Sequence, residues 1–228
     1  MYGAYRHGLY PVVAWSDEKL ADIEGRFGDA VRSGRVAVLP SDRRNILELT
    51  WLSPDPRAVL RTGETREGSD VRRTLRRSGW CSTVDRVFGD VVRACSDSHP
   101  NNWITPDIVA TYEELHRRGV AHSFEVWEGS DLVGGTYGVL VGRVFSGESI
   151  FHRVSDAGKA AVADLVRRLV LSGVVYYDCQ EMSEFNASFG AIEVARARFI
   201  AVLRECRDLP TSLFCTPMEL RDWGAMTL

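Results

Sequence analysis

The segment Val175-Tyr176-Tyr177-Asp178-Cys179-Gln180 runs from apolar residues into an acid, a thiol and an amide. That is the pattern of a strand whose polar end reaches a site. Strand alternation sends Asp178 and Gln180 to one face and Cys179 to the other. This suits a carboxylate and an amide acting together on a proton, and does not suit Cys179 as a nucleophile. The other reading is that Asp178 caps the turn or helix that follows. Gly147-Glu148-Ser149 places a second acid at the end of an otherwise apolar run, where it either faces solvent or receives a cation. Trp103, beside Asn101 and Asn102 and just ahead of a helical stripe, reads either as core or as a site aromatic.

Charge is distributed unevenly. The chain carries a formal net charge of −3, which argues against blanket binding of nucleic acid, yet residues 57–77 hold seven arginines against three acids. If residues 70–77 are helical, Arg72/Arg76 and Arg73/Arg77 are i, i+4 pairs on one basic face. Such a face is either solvated or bound to an anion. Gly134-Gly135-Thr136-Tyr137-Gly138 lies inside a strand pattern and not at a strand-to-helix turn, so it marks a close approach of backbone or ligand and is no nucleotide fingerprint. The five cysteines are scattered without a C-x-x-C, and the five histidines make no i, i+4 pair. Nothing in these spacings asks for a metal or a disulfide framework.

The elements that must position these residues follow from periodicity. Residues 16–33 space Leu20, Ile23, Phe27 and Val31 as a helix, with Ser16 as its cap and Gly34 beyond its end. Two apolar runs, Val36 to Leu39 and Ile46 to Trp51, lead to the turn-rich Ser53-Pro54-Asp55-Pro56. Ile108, Tyr112 and Leu115 mark a further helix. Three strand patterns between His122 and Ile150, parted by Gly129-Ser130-Asp131 and Gly142-Arg143, form an antiparallel meander. A helix over 156–172, a strand at Val174 to Asp178 and a helix over 194–205 complete the core. The expected fold is α+β: an acetyltransferase-like (GNAT-type) mixed sheet with flanking helices over residues 63–228, preceded by a small N-terminal subdomain over residues 1–62. No membrane span or leader pattern is present, so a cytoplasmic protein is expected.

Several blocks together resemble the leucyl/phenylalanyl-tRNA-protein transferase family: AYRHGLYP at 4–11, WLSPDPRAVL at 51–60, NWIT at 102–105, HSFEVW at 122–127, LVGGTYG at 132–138, SGESIF at 146–151, DCQ at 178–180 and ASFGA at 187–191. The resemblance implies an acetyltransferase-like core that moves the aminoacyl group of a charged tRNA to a free amine, with no cofactor beyond aminoacyl-tRNA as co-substrate. It implies catalytic roles for Asp178, Gln180 and Glu148. It places Trp103 against the terminal adenosine of the tRNA, and Arg72, Arg73, Arg76 and Arg77 against its acceptor stem. The mechanism expected from it has Asp178 drawing charge from the amine through Gln180, Glu148 holding a cationic part of the acceptor, and backbone N–H groups near the glycine-rich strand holding the oxyanion.

The aminoacyl pocket departs from the family's pattern. Members of the family that the chain resembles usually carry Met at the positions of Thr136 and Ile150 and an aliphatic residue at Tyr177. Here the lining is smaller and more polar, which points to a smaller amino acid such as alanine, and to a specialised relative that extends a peptide or small amine in natural-product biosynthesis. The alternatives are the standard transferase of the N-end rule, acting on protein N-termini, and an inactive tRNA-binding domain. An acetyl-CoA-dependent enzyme would need a glycine-rich pyrophosphate turn, and residues 153–160 read RVSDAGKA.

Overall fold

The computed structural model describes residues 1–13, 17–33, 49–65, 68–98 and 103–225. Ser16, the run Val36 to Leu39, the start of the second apolar run, Asn101 and Asn102 lie outside them. The chain opens with α1 (Tyr2–Tyr5), β1 (Tyr10–Val13), α2 (Asp17–Arg32), β2 (Leu49–Leu52) and β3 (Arg57–Arg61). It continues through α3 (Ser69–Arg77), β4 (Cys81–Val84), α4 (Phe88–Asp97) and α5 (Pro106–Arg117). The meander follows as β5 (Ala121–Glu128), β6 (Asp131–Val141) and β7 (Val144–His152), then α6 (Ala157–Leu171) and β8 (Tyr176–Gln180). The last elements are α7 (Glu184–Ser188), β9 (Ile192–Val194), α8 (Arg196–Cys206) and β10 (Met218–Glu219). Among the described residues no helix is long and apolar enough to cross a membrane.

Eight strands form one mixed sheet in the order β10-β4-β5-β6-β7-β8-β3-β9, and β1 pairs with β2 in a sheet of two. The division expected at residue 62 is not repeated in this pairing, because β3, on its N-terminal side, lies inside the large sheet between β8 and β9. Every neighbour is antiparallel except β7 and β8, which run parallel across the connection through α6. The turns of the meander fall at Gly129 and Gly142, both at positive φ. At Gly142 a Cβ would strike the Cys206 carbonyl, so only glycine fits.

The two faces of the sheet bury separate cores. One packs α4, α5 and α8 residues with Tyr5 and Tyr10 from the N-terminus; the other packs α6 with Val71 and Leu75 of α3 and Trp223. α5 starts where Thr105 accepts the Ile108 N–H and Pro106 occupies the first turn, and its stripe Ile108, Tyr112, Leu115 is buried. α6 owes its small residues to its own contact with the sheet, since a Cβ at Gly134 would lie 2.8 Å from the Ala157 backbone. That close approach accounts for the glycine-rich strand. β6 pairs along both edges, to β5 and to β7, which commits its backbone N–H groups to the ladder.

Candidate active site

The parallel pairing of β7 with β8 covers three residue pairs, Val144 with Tyr176, Phe145 with Tyr177 and Ser146 with Asp178, and then stops. Both strands carry an extra residue at that level. On β7, Tyr137 faces Ser149 and Gly138 faces Gly147, which leaves Glu148 as the bulged residue. On β8, Ala58 faces Gln180 and Val59 faces Asp178, which leaves Cys179 bulged, and Gln180 takes a φ of 65°. Bulges bend a strand and re-aim its side chains, and two of them at one level leave a gap in the β7–β8 ladder at Gly147 and Glu148.

Three polar groups converge on that gap. Asp178 is fully buried and accepts four hydrogen bonds: from Arg57 Nε and Nη2, both at 2.7 Å, from the Ser146 hydroxyl at 2.6 Å and from the Gln180 backbone N–H at 3.0 Å. The Arg57 guanidinium is held over the rings of Tyr10 and Phe199, 4.8 and 4.7 Å from their centroids. The Gln180 side-chain amide turns the other way and donates across the gap to the Gly147 carbonyl at 2.9 Å and to Glu148 Oε1 at 3.2 Å. Glu148 Oε2 accepts the Tyr112 hydroxyl at 2.7 Å, and the Tyr112 and Tyr5 hydroxyls share a hydrogen bond of 2.8 Å. Burial pushes the Glu148 carboxyl up to about 8, the charge of Asp178 adds to the rise, and Tyr112, Tyr5 and Arg57 pull against it.

This geometry joins Asp178, Gln180 and Glu148 in one cluster but corrects the route expected between them. Gln180 meets Asp178 only through its backbone N–H, and its side chain serves Glu148, so no amide relay leads from the gap to Asp178. Arg57 is likewise no part of an exposed basic segment: it is 1% exposed and neutralises Asp178. Arg57, Tyr5, Tyr112 and Ser146 belong to the site although spacing did not single them out. For Tyr5, Arg57 and Ser146 the available signal was membership of the blocks 4–11, 51–60 and 146–151, without a role attached.

Thr136 and Ile150 are direct cross-strand partners on the α6 side of the sheet. Thr136 is buried with its hydroxyl donating to the Ser149 carbonyl at 2.8 Å, and Ile150 packs towards α6 beside Gly158. Tyr177 lies on the same side and so close to Gly147 that a Cβ there would be 2.5 Å from its hydroxyl. Trp103 is half-buried against the opposite core, immediately before α5. The basic helix forms as α3, packed through Val71 and Leu75 into the core that holds α6, with Arg72, Arg73, Arg76 and Arg77 exposed. Clefts of about 630 Å³ beside α4 and about 310 Å³ between α1 and the end of α8 contain none of these residues.

Residues 59–204 match the leucyl/phenylalanyl-tRNA protein transferase family profile. The chain belongs to this family. A leucyl/phenylalanyl-tRNA–protein transferase of Proteus mirabilis is 45% identical over 153 residues, 67% of this chain and 66% of the relative. One of Shewanella baltica is 44% identical over 165 residues (71% and 70%), and one of Laribacter hongkongensis 42% identical over 177 residues (76% and 74%). The chain thus spans about two thirds of the Proteus relative's length. Glu148, Asp178 and Gln180 fall inside the stretch that matches the transferase family, whereas Tyr5, Tyr10 and Arg57 precede it.

Proposed function

We propose that the protein transfers the aminoacyl group of a charged tRNA to a free amine, forming a peptide bond. The observation that carries this reading is the cluster of Glu148, Gln180 and Asp178 at the level where β7 and β8 part. An aminoacyl ester is already activated. The protein need only hold ester and amine together, deliver the amine neutral, and stabilise the oxyanion that forms. The three-pair parallel ladder that opens at a bulge is in keeping with an acetyltransferase-type core, in which the ester would enter the gap. The exposed arginines of α3 would hold the acceptor stem, and Trp103 the terminal adenosine.

The names of the relatives favour leucine or phenylalanine as the group moved and a protein N-terminus as the acceptor. A second reading rests on Tyr177, whose phenol closes on Gly147 where an aliphatic residue would leave space, and on the small buried Thr136. That lining suits a smaller amino acid such as alanine, moved to a peptide or small-molecule amine. Incubation with bulk tRNA charged with all amino acids, an Arg-initiated peptide and a panel of neutral amines, read by mass spectrometry against an RNase-treated control, tests both. Leu or Phe on the Arg peptide supports the first, another residue on a non-basic acceptor supports the second, and no RNase-sensitive product on any acceptor refutes the transferase reading.

A further inference from the structure

An amine that attacks an ester must give up a proton, and the site holds two carboxylates to take it. Asp178 has four donors on its two oxygens and no exposure, so no lone pair is left for a substrate proton. Glu148 is different in each respect. It is partly exposed, it stands on the bulge beside the gap, and its two oxygens accept one hydrogen bond each, from Tyr112 and from Gln180. Resting on the transferase reading above, we propose that Glu148, and not Asp178, accepts the proton of the attacking amine, with Tyr112 and Tyr5 as positioning residues that aim its carboxylate.

The step balances without a further reactant. The amine nitrogen forms a bond to the carbonyl carbon, its proton passes to Glu148, the ester C–O bond breaks, and the departing ribose oxygen takes the proton back from Glu148. Gln180 keeps its amide protons throughout and fixes Oε1, while the Arg57–Asp178 pair fixes the backbone of Gln180. The groups that face Glu148 come from every side: Asp178 and Gln180 on β8, Arg57 on β3, Tyr112 on α5 and Tyr5 on α1. Burial holds both tyrosine hydroxyls far above neutrality, so Tyr112 donates to Glu148 with Tyr5 hydrogen-bonded behind it, and neither competes for the proton. A base poised near the working pH is the most effective kind, and the environment pushes Glu148 up to about 8.

The test is single-turnover transfer from saturating charged bulk tRNA to the peptide or amine that the unaltered protein uses, followed against pH. Glu148→Gln, which keeps the shape and one acceptor oxygen but cannot take up a proton, is expected to lose roughly 10²- to 10⁴-fold in kcat with KM for charged tRNA unchanged. Tyr112→Phe removes a donor that favours the charged carboxylate, so the acid limb of the profile is expected to move to higher pH. The amine's own ionisation is the same in both proteins and cannot produce that movement. Glu148→Gln within twofold of the unaltered protein, an acid limb unmoved in Tyr112→Phe, or a limb abolished in Asp178→Asn would each overturn the assignment. Absence of transfer by the unaltered protein would remove the transferase reading itself, whereas transfer that ignores Glu148→Gln removes only the role given to Glu148.

Discussion

Arg57 and Asp178 meet through two parallel hydrogen bonds of 2.7 Å, with the arginine 1% and the aspartate 0% exposed. They are 121 residues apart in the chain and sit on neighbouring strands. The pair is the geometric anchor of Gln180, because Asp178 also takes the backbone N–H of that residue. Removing one partner strands the other in the interior. Arg57→Ala is expected to destabilise the fold by about 3–5 kcal/mol, read as a lower urea midpoint. The double substitution Arg57→Met with Asp178→Leu should recover much of that stability and yet show no transfer.

Glu148 should print a signature on stability. In the unfolded chain a glutamate loses its proton near about 4.3, whereas the folded site holds it up to about 8. Between these values the native state binds the extra proton. The stability that depends on it is full at low pH and is lost as pH rises towards the folded value, by up to about 1.4 kcal/mol per pH unit. Glu148→Gln removes this slope. Urea midpoints of the two proteins should agree in acid and part towards alkaline pH, with the variant the more stable.

The hydroxyl of Tyr137 is buried and has no hydrogen-bond partner among the described residues, although its ring packs edge-on against Tyr112 at 5.0 Å. An orphaned buried donor costs about 1–3 kcal/mol. Tyr137→Phe keeps the ring contact and removes the orphan, so a rise in thermal midpoint is expected. A fall would show that the hydroxyl has a water or ligand partner.

Tyr177 shuts the space beside Gly147. Tyr177→Leu should open it and shift amino-acid preference towards larger side chains by roughly 10- to 200-fold, the range that a few apolar atoms control. Competition between alanyl- and leucyl-tRNA for one acceptor measures the ratio directly.

The exposed arginines of α3 are a surface feature whose removal should spare the fold. Arg72→Ala with Arg76→Ala is expected to change stability by less than about 1 kcal/mol, as surface sites do. KM for charged tRNA should rise, and the slope of log affinity against log salt should fall by about 0.7–0.9 for each phosphate that is no longer neutralised. An unchanged salt slope would place the tRNA elsewhere.

Much of the fold is legible in the residues themselves, and they show why. The meander is written in alternation and glycine turns, and α2, α5, α6 and α8 in apolar spacing, all of which are local signals. Asp178, Gln180 and Glu148 stand out because polar groups end apolar runs. Arg57 does not, since the start of a strand is an ordinary place for an arginine and only its partner on β8 explains its burial. Tyr112 looks like core and is core; that its hydroxyl also reaches Glu148 depends on how α5 crosses β7. The route from Gln180 to Glu148 is hidden for a similar reason. It is set by two bulges and a left-handed residue, which no period of two can announce.

The place of β3 between β8 and β9 has a consequence for how the protein is made. β3 leaves the ribosome early and must wait for partners that begin more than a hundred residues later, roughly 6–24 s at about 5–20 residues per second. Until then its apolar segment Ala58 to Leu60 and the charge of Arg57 have no counterpart, and long-range pairings of this kind are slow to close. The carboxylate cluster therefore cannot form until β8 has been made, and a nascent chain halted before it would hold the strands of the meander without Asp178 and Gln180.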